Sequence, residues 1–220
     1  MKTVAFVPIK LNNERLPNKN TLPLGGKPLC RHLLDTLAGV ELLDEVYVFC
    51  SSERIREHLP GRVKFLARDA ALDAYWARHY DIVRAFVGAV GADVYVNAHV
   101  TNPFIRRETI IGGINAIAGG GHDCALAVSE IREHLWLGGK PFNFEYGDPP
   151  RTQDLEPLYA ETGVFMYRKE VFANSGTRYG KNPFFMVIDK IEAVDINYRD
   201  DYELAQAVCR MRDSRRQGPA

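Results

Sequence analysis

The sequence predicts an α/β fold, in which helices flank a mostly parallel sheet. Short apolar runs alternate with stretches of helical periodicity along the chain, as in strands joined by crossover helices. The first run, residues 4–7, is continuously apolar, which is typical of a strand buried on both faces of a parallel sheet. A 46% hydrophobic share over 220 residues suffices for one core, so we expect one domain over residues 1–212 and a flexible tail over 213–220.

The amino-terminal elements follow from local patterns. The first strand leads into an aperiodic loop, and a helix is then predicted over residues 29–38 because leucines recur on one of its faces. Ser51 and Ser52 are natural N-cap residues for a short helix after the second strand. The elements predicted after the first helix are a strand over 45–50, a helix over 53–59 and a strand over 63–67.

The second half continues the alternation and then breaks it. The predicted elements are a helix over 75–90, the central strand over 93–97, a helix over 108–118 and a strand over 124–128. Residues 134–158 interrupt the pattern, because they are rich in Gly, Pro and aromatic residues and contain no long helical period. A last helix begins near Asp200 and Asp201, either of which can cap it.

Composition argues against several classes of function. Lys plus Arg equals Asp plus Glu, at 28 each, so no excess of positive charge points to a nucleic-acid partner. The amino terminus lacks the pattern of a signal peptide, and no apolar run is long enough to cross a bilayer, so we expect a cytoplasmic protein without a membrane partner. The four cysteines form no C-x-x-C pair, which favours reduced, buried thiols.

The loop after the first strand is the strongest functional signal. Such long aperiodic loops are usually functional, and this one leaves the carboxyl end of a strand, where open α/β sheets bind ligands. Gly25 and Gly26 let backbone N–H groups approach a ligand closely. Each cation alone is more often a solvated surface charge, but four in one loop favour a polyanion such as a nucleoside triphosphate. These cations are Lys10, Arg15, Lys19 and Lys27.

The same loop resembles a known family. Leu16, Pro17, Lys19 and Asn20, followed by LGGKPL at residues 24–29, are similar to the signature of the sugar-acid cytidylyltransferases. These are the CMP-sialic acid synthetases (acylneuraminate cytidylyltransferases) and their relatives that act on other nonulosonic acids and on Kdo. The resemblance covers nearly all of the first 208 residues. It implies a Rossmann-like nucleotidyltransferase fold and transfer of CMP from CTP to a 2-keto sugar acid, a sialic-acid-like nonulosonate, with release of pyrophosphate.

The resemblance also implies a nucleotide site. Lys19 matches the lysine that contacts the α-phosphate, and Lys10 stands where arginine is common, which keeps the charge but loses the bidentate fork. Arg15 is expected at the β- and γ-phosphates, while Asn12 and Asn20 fix the loop or touch the ribose. Catalytic roles are expected for Lys19, Lys10 and Asp195. The expected nucleotide-binding residues are Pro8, Lys10, Asn12, Arg15, Lys19, Asn20, Lys27 and Asp73.

Two further segments depart from the family pattern. Asp73 opens a run that lines the base pocket in relatives, yet Tyr75 and Trp76 are bulkier than the usual small residues. They pack either on the nucleotide or in the core. A Mg²⁺ ion is expected at Asp195 and Asn197, which stand where the family has Asp-x-Asp at the end of a strand, with Asn197 in place of the second aspartate. Alternation along a strand puts both side chains on one face, although the amide of Asn197 removes one negative charge.

Acceptor binding is expected at the carboxyl end of the central strand. His99 stands where the family has glutamine, Thr162 replaces an asparagine, and residues 151–155 match Arg-x-Gln-Asp-Leu. Arg106 and Arg107 either pair with an acidic substrate or cap the next helix. The expected acceptor-binding residues are His99, Thr101, Arg151, Gln153, Thr162 and Tyr167.

Several alternatives stay open. The resemblance implies that residues 134–158 form a protruding β-rich arm that packs across a partner subunit, so we expect a homodimer; the other reading is an irregular insertion on a monomer. A same-fold enzyme could use another nucleotide or a non-sugar acceptor such as a phosphonate. A relative that binds a nucleotide or partner without turnover is the third hypothesis. A dinucleotide-binding protein is disfavoured, because no G-x-G-x-x-G follows the first strand.

Overall fold

A seven-stranded sheet runs through the centre of the molecule in the computed structural model, which describes residues 1–216. The strands in chain order are β1 (Thr3–Ile9), β2 (Pro23–Leu24), β3 (Lys27–Pro28), β4 (Glu45–Cys50), β5 (Val63–Ala67), β6 (Val94–Ala98), β7 (Cys124–Ile131), β8 (Trp136–Leu137), β9 (Lys140–Pro141), β10 (Leu158–Arg168) and β11 (Pro183–Ile188). The order across the large sheet is β11-β7-β10-β6-β1-β4-β5, while β2-β3 and β8-β9 form two small hairpins.

Helices cover both faces of this sheet. They are α1 (Leu29–Ala38), α2 (His79–Ala89), α3 (Arg107–Ala118), α4 (Lys169–Ser175) and α5 (Arg199–Arg216). Short 3₁₀ turns lie at Lys19–Thr21, Glu53–His58, Ala70–Asp73 and Thr152–Asp154. No helix within residues 1–216 combines the length and the apolar character needed to span a membrane.

The sheet is mostly parallel, as the sequence predicts. Strand β1 pairs in parallel with β4 and β6, and β4 with β5, so the carboxyl ends of these four strands meet at one edge. Strand β10 is the exception, since it lies antiparallel between β6 and β7. Its middle therefore returns to the edge where β6 ends, and the backbone N–H of His99 donates to the carbonyl of Gly163 at 2.9 Å.

The core has two layers because alternate residues of each strand face opposite sides. Ala5, Val7 and Ile9 of β1 join the leucines of α1 and the isoleucines of α3 on one side. Val4 and Phe6 face α2 and α4 on the other side. There the rings of Phe6 and Phe86 stack with 4.2 Å between their centroids. Full burial of such a side chain stabilises the fold by about 1.5–3 kcal/mol.

Several predicted boundaries are wrong. The helix expected over 75–90 begins at His79, because residues 74–77 form a turn that leaves Tyr75 and Trp76 87% and 68% exposed. The helix expected over 53–59 is a 3₁₀ turn over Glu53–His58. Helix α5 continues through residues 213–216, the first part of the predicted tail, and residues 217–220 lie outside the described part of the chain.

Candidate functional site

A cavity of about 500 Å³ opens at the carboxyl ends of β1, β5 and β6, which is where open α/β sheets bind their ligands. Its walls come from the loop after β1, the residues after β5, the start of α2, the turn after β6 and the segment before α5. Ten of the residues expected from the sequence line it. They are Pro8, Lys10, Arg15, Lys19, Asn20, Asp73, His99, Thr101, Asp195 and Asn197.

Lys19 is a buried cation at the junction of two of these walls. The 3₁₀ turn that begins at this residue points its ammonium across the cavity, where Nζ donates to the backbone carbonyl of Ile196 at 2.7 Å. Burial lowers the pKa of Lys19, and the positive charge of Arg15 lowers it further, while Asp195 opposes this change. The loop after β1 is thereby fastened to the segment that carries the expected metal ligands.

The rest of the loop is arranged around the cavity with loosely held cations. Asn20 stabilises the loop itself, because its Nδ2 donates to the carbonyl of Lys10 at 2.7 Å. The ammonium of Lys10 lies 3.8 Å from the carboxylate of Glu14, and the guanidinium of Arg15 lies 5.3 Å from the ring centroid of Tyr198. Exposed contacts of this kind are weak, so both side chains can turn towards a polyanion.

Asp73 supports the wall of the cavity through Arg68. Its carboxylate accepts hydrogen bonds from the guanidinium of Arg68 and from the hydroxyl of Ser51. Arg68 is buried, lines the cavity and also donates to the carbonyl of Ile9 at 3.1 Å. Arg68 is not among the residues expected from the sequence. Its position directly after an apolar strand, at the edge expected to bind ligands, was the signal that could have found it.

The expected metal ligands lie side by side but outside any strand. Residues 195–197 belong to no strand or helix, so the predicted strand end is wrong. Ile196 is buried between the two side chains, and its backbone N–H donates to the carbonyl of Thr101 at 2.8 Å. The amide Nδ2 of Asn197 donates to Oδ2 of Asp195 at 2.7 Å. Asp201 accepts hydrogen bonds from the backbone N–H groups of Asn197 and Tyr198, and therefore caps α5.

These two side chains fit a magnesium ion that takes most of its ligands from elsewhere. Within residues 1–216 no group of three or more His, Cys, Asp and Glu side chains is placed to hold a metal ion. Magnesium needs only one or two carboxylates when phosphate oxygens and water complete its shell. Asp195 with Asn197, facing a cavity that also contains Lys19, meets that lower requirement.

Two imidazoles form the other side of the cavity. His99 follows β6, and His79, which opens α2, lies against it with 5.2 Å between the ring centroids. Nε2 of His79 is hydrogen bonded to Oδ1 of Asn97 at 2.9 Å. Burial lowers the pKa of both histidines, and the guanidinium of Arg178 lowers them further. His79 was not predicted as a site residue, because it falls inside the helix expected over residues 75–90.

Three expected residues of the loop and the following strands lie elsewhere. Asn12 lines a separate cavity of about 360 Å³ beside Asn18 and Arg54. The ammonium of Lys27 forms an ion pair with Asp35 on α1, because the β2-β3 hairpin turns it away from the cavity. Thr162 accepts a hydrogen bond from Nδ2 of Asn102 at 2.6 Å, so it braces the turn after β6.

Other expected acceptor residues are also outside the cavity. Tyr167 is buried in the core against Tyr95, because alternation along β10 turns it inward, and an acceptor contact at this position is not supported. Arg151 and Gln153 lie at an exposed 3₁₀ turn, where the guanidinium of Arg151 pairs with Asp154 at 2.7 Å. Arg106 does not face the cavity either, since it pairs with the buried Glu192 at 2.7 Å.

Comparison with known proteins gives consistent results. The family model described as Cytidylyltransferase matches residues 4–217. An N-acylneuraminate cytidylyltransferase of Streptococcus agalactiae serotype III (strain NEM316) is 26% identical over 214 residues, which cover 92% of this chain and 52% of that protein. The chain thus spans about half the length of this relative. The 3-deoxy-manno-octulosonate cytidylyltransferase of Escherichia coli is 22% identical over 195 residues, covering 79% of this chain and 75% of the relative.

A solved structure has the same fold. It is a CMP:2-keto-3-deoxy-manno-octonic acid synthetase complexed with CTP, with a TM-score of 0.70 and 17% identity. The likeness covers 96% of this chain and 100% of that one. At this identity the comparison establishes the α/β Rossmann-like nucleotidyltransferase fold alone.

Proposed function

Because the chain belongs to the cytidylyltransferase family, whose model it matches over residues 4–217, we propose that it transfers CMP from CTP to a 2-keto sugar acid. Pyrophosphate is the second product. The observation that carries the proposal is the cavity in which Lys10, Arg15 and Lys19 face Asp195. Cations on one wall and a carboxylate on the other suit a triphosphate bound with a divalent ion.

The three cations of the loop are suited to different phosphates of the triphosphate. Lys19 is rigidly placed by its bond to the carbonyl of Ile196, so it is the group suited to the α-phosphate, where charge develops during transfer. Lys10 and Arg15 are held by weak exposed contacts and can follow the β- and γ-phosphates. Arg68, fixed by Asp73 and Ile9, forms the floor under the nucleoside.

A bound Mg²⁺ would be held by Asp195 with Asn197, and it would neutralise charge on the phosphates. The acceptor then lies towards His79, His99 and Thr101, which line the same cavity. From the relatives we take a sialic-acid-like nonulosonate as the acceptor, with a Kdo-like octulosonate as the other sugar acid of the same class.

A screen for pyrophosphate release tests this proposal. The purified protein is incubated with CTP, UTP, GTP or ATP and a panel of 2-keto sugar acids, with and without Mg²⁺. We expect release with CTP, one class of acid and Mg²⁺. Release with a different nucleotide would change the donor. If no combination releases pyrophosphate while calorimetry still detects CTP binding, the proposed function changes from a transferase to a protein that only binds the nucleotide.

One observation favours that last function. Asn197 donates a hydrogen bond to Asp195, so one carboxylate oxygen already has a partner and the segment carries one negative charge fewer than the Asp-x-Asp pattern. A relative that had lost its metal would bind the nucleotide and release no pyrophosphate. The presence of Lys19 in a buried, oriented position argues for turnover, since burying a lysine is costly without a role for its charge.

A further inference from the structure

We infer that His79 is a specificity-determining residue for the acceptor, and that its Nδ1 accepts a hydrogen bond from a hydroxyl group of the sugar acid. The inference rests on the proposed function and adds to it the chemical group that is recognised. It is based on three features of the structure. They are the position of the His79 ring in the cavity wall, the hydrogen bond that occupies its Nε2, and the positive charge of Arg178 near both imidazoles.

The hydrogen bond to Asn97 fixes which nitrogen of His79 faces the cavity. Oδ1 of Asn97 can only accept, so Nε2 of His79 carries the proton and Nδ1 keeps its lone pair. Asn97 belongs to β6, is 1% exposed, and is held between β1 and β10, so it supports the ring from behind. His79 lines the cavity while Nε2 is engaged, which leaves Nδ1 as its polar atom for a ligand.

Burial is the main effect that disfavours a positive charge on both rings, and the guanidinium of Arg178 adds to it. This guanidinium lies 3.6 Å from the ring centroid of Phe165 and pairs with Glu161 at 2.8 Å, so the positive charge is fixed in place. His99 in turn lies 5.5 Å from Phe165, measured between ring centroids. A second positive charge on His79 or His99 is unfavourable beside this cation, and burial acts in the same direction.

Neutral imidazoles recognise a different group from charged ones. A neutral Nδ1 lone pair accepts a hydroxyl hydrogen, whereas an imidazolium would attract the carboxylate of the sugar acid. A ring that resists protonation is also a poor base, so His79 selects and orients the acceptor and does not remove its proton.

Two amide substitutions of His79 distinguish recognition of the acceptor through Nδ1 from support of Asn97 through Nε2. In His79→Gln the longer amide reaches the position of Nε2 and keeps the contact with Asn97, but nothing replaces Nδ1. In His79→Asn the side-chain oxygen stands near the position of Nδ1, and the contact with Asn97 is lost. We expect His79→Gln to raise the KM for the sugar acid about fivefold to tenfold, with KM for CTP unchanged, because one neutral hydrogen bond is lost.

The test compares how much each variant raises the KM for the sugar acid. A smaller rise in acceptor KM for His79→Asn than for His79→Gln supports recognition through Nδ1. The reverse order, together with a lower melting temperature for His79→Asn, would overturn the inference and make His79 a support for Asn97. His122→Gln is the matched control, because His122 lies before β7 at the opposite edge of the sheet, and its kinetics should equal those of the unaltered protein.

A spectroscopic measurement gives a second readout. Addition of the sugar acid to the protein with CTP and Ca²⁺, which is meant to slow turnover, should shift the ¹⁵N resonance of Nδ1 of His79. The resonance is absent in His79→Gln, which assigns the signal, and the resonances of His122, outside the cavity, serve as the reference. An Nδ1 resonance that does not shift when the sugar acid is added to the unaltered protein would contradict the inference. No release of pyrophosphate by the unaltered protein would overturn the proposed function, whereas release with equal acceptor KM in His79→Gln overturns this inference alone.

Discussion

Lys19 is the residue whose charge the proposed reaction needs most. It is buried, its ammonium is oriented by the carbonyl of Ile196 at 2.7 Å, and Asp195 lies nearby. Removing an oriented cation from a site of developing negative charge slows a reaction by about 10²- to 10³-fold. We therefore expect Lys19→Ala to reduce kcat by that factor and to weaken the binding of CTP in a calorimeter.

Lys27 provides the matched control for Lys19. Both lysines belong to the same loop and were expected at the nucleotide, but Lys27 pairs with Asp35 on α1 outside the cavity. Lys27→Ala should leave kcat and CTP affinity within about twofold of the unaltered protein, because an exposed ion pair contributes little. Equal losses in the two variants, or unchanged CTP binding in Lys19→Ala, would contradict the assignment of Lys19 to the α-phosphate.

The proposed metal site can be tested at Asn197. Its amide donates to Asp195, so the two side chains attract each other without a metal. In Asn197→Asp two carboxylates would stand at the same distance and repel each other until a cation binds between them. We expect the variant to bind Mn²⁺ about tenfold more tightly in the absence of nucleotide, since affinity rises with the charge of the ligands.

Calorimetric titration of Mn²⁺ into both proteins checks this prediction. The melting temperature gives an independent readout, because Asn197→Asp should be less stable than the unaltered protein in EDTA and should regain stability when Mg²⁺ is added. Asp200→Asn is the control, since Asp200 lies in the first turn of α5 and does not line the cavity. Equal Mn²⁺ affinity in the unaltered protein and Asn197→Asp would show that residue 197 does not face the ion.

The bulge of strand β10 requires a glycine at residue 163. Gly163 lies in the bulge of this strand with a φ of +64°, and an added Cβ would stand 2.7 Å from Cγ of Asn102. Its carbonyl also accepts the backbone N–H of His99 at 2.9 Å, so the bulge positions the acceptor side of the cavity. Gly163→Ala should destabilise the fold by about 1 kcal/mol from backbone strain and about 1–3 kcal/mol more from the clash.

A substitution at Gly176 measures the backbone strain without the clash. This glycine ends α4 with a φ of +67°, and an added Cβ would meet nothing within 4 Å. Gly176→Ala should therefore cost about 1 kcal/mol alone, as measured by urea unfolding. If the free energies of unfolding of the two alanine variants were equal, the contact between Gly163 and Asn102 would have no energetic effect.

The elements also show how far the sequence could be interpreted. Helix α1 was predicted to the residue, since its leucines recur at helical spacing and Gly39 follows. The antiparallel direction of strand β10 could not be predicted, because strand pairing depends on contacts distant in the chain. The start of α2 was predicted wrongly. Tyr75 and Trp76 were included in the helix, but both side chains face solvent.

The site was predictable where its residues share a short segment. Lys10, Arg15, Lys19 and Asn20 lie in one loop, and the fold brings that loop to the cavity as expected. His79 could not be found from the sequence, because its partner Asn97 lies 18 positions away on another element. The same limit applies to Arg178, which affects both histidines across the sheet.

At the scale of the whole molecule, residues 134–158 leave apolar area uncovered. They contain the β8-β9 hairpin, on which Trp136 and Leu137 are 54% and 69% exposed, and Tyr146 nearby is 73% exposed. Arg151 also lies at an exposed turn of this region, outside the cavity of its own chain. Association through this arm would cover the aromatic side chains and offer a route for Arg151 to reach the acceptor of a second copy.

We therefore expect a homodimer of twice 24.8 kDa in light scattering at micromolar concentration. The double substitution Trp136→Asp with Leu137→Asp places charge on the exposed hairpin and should raise the dissociation constant at least 100-fold, since burying an unpaired carboxylate is costly. Leu42→Asp, at an exposed apolar residue between α1 and β4, is the control and should leave the dimer intact. A monomeric unaltered protein, or a dimer that tolerates the double substitution, would make the arm an irregular insertion without a role in association.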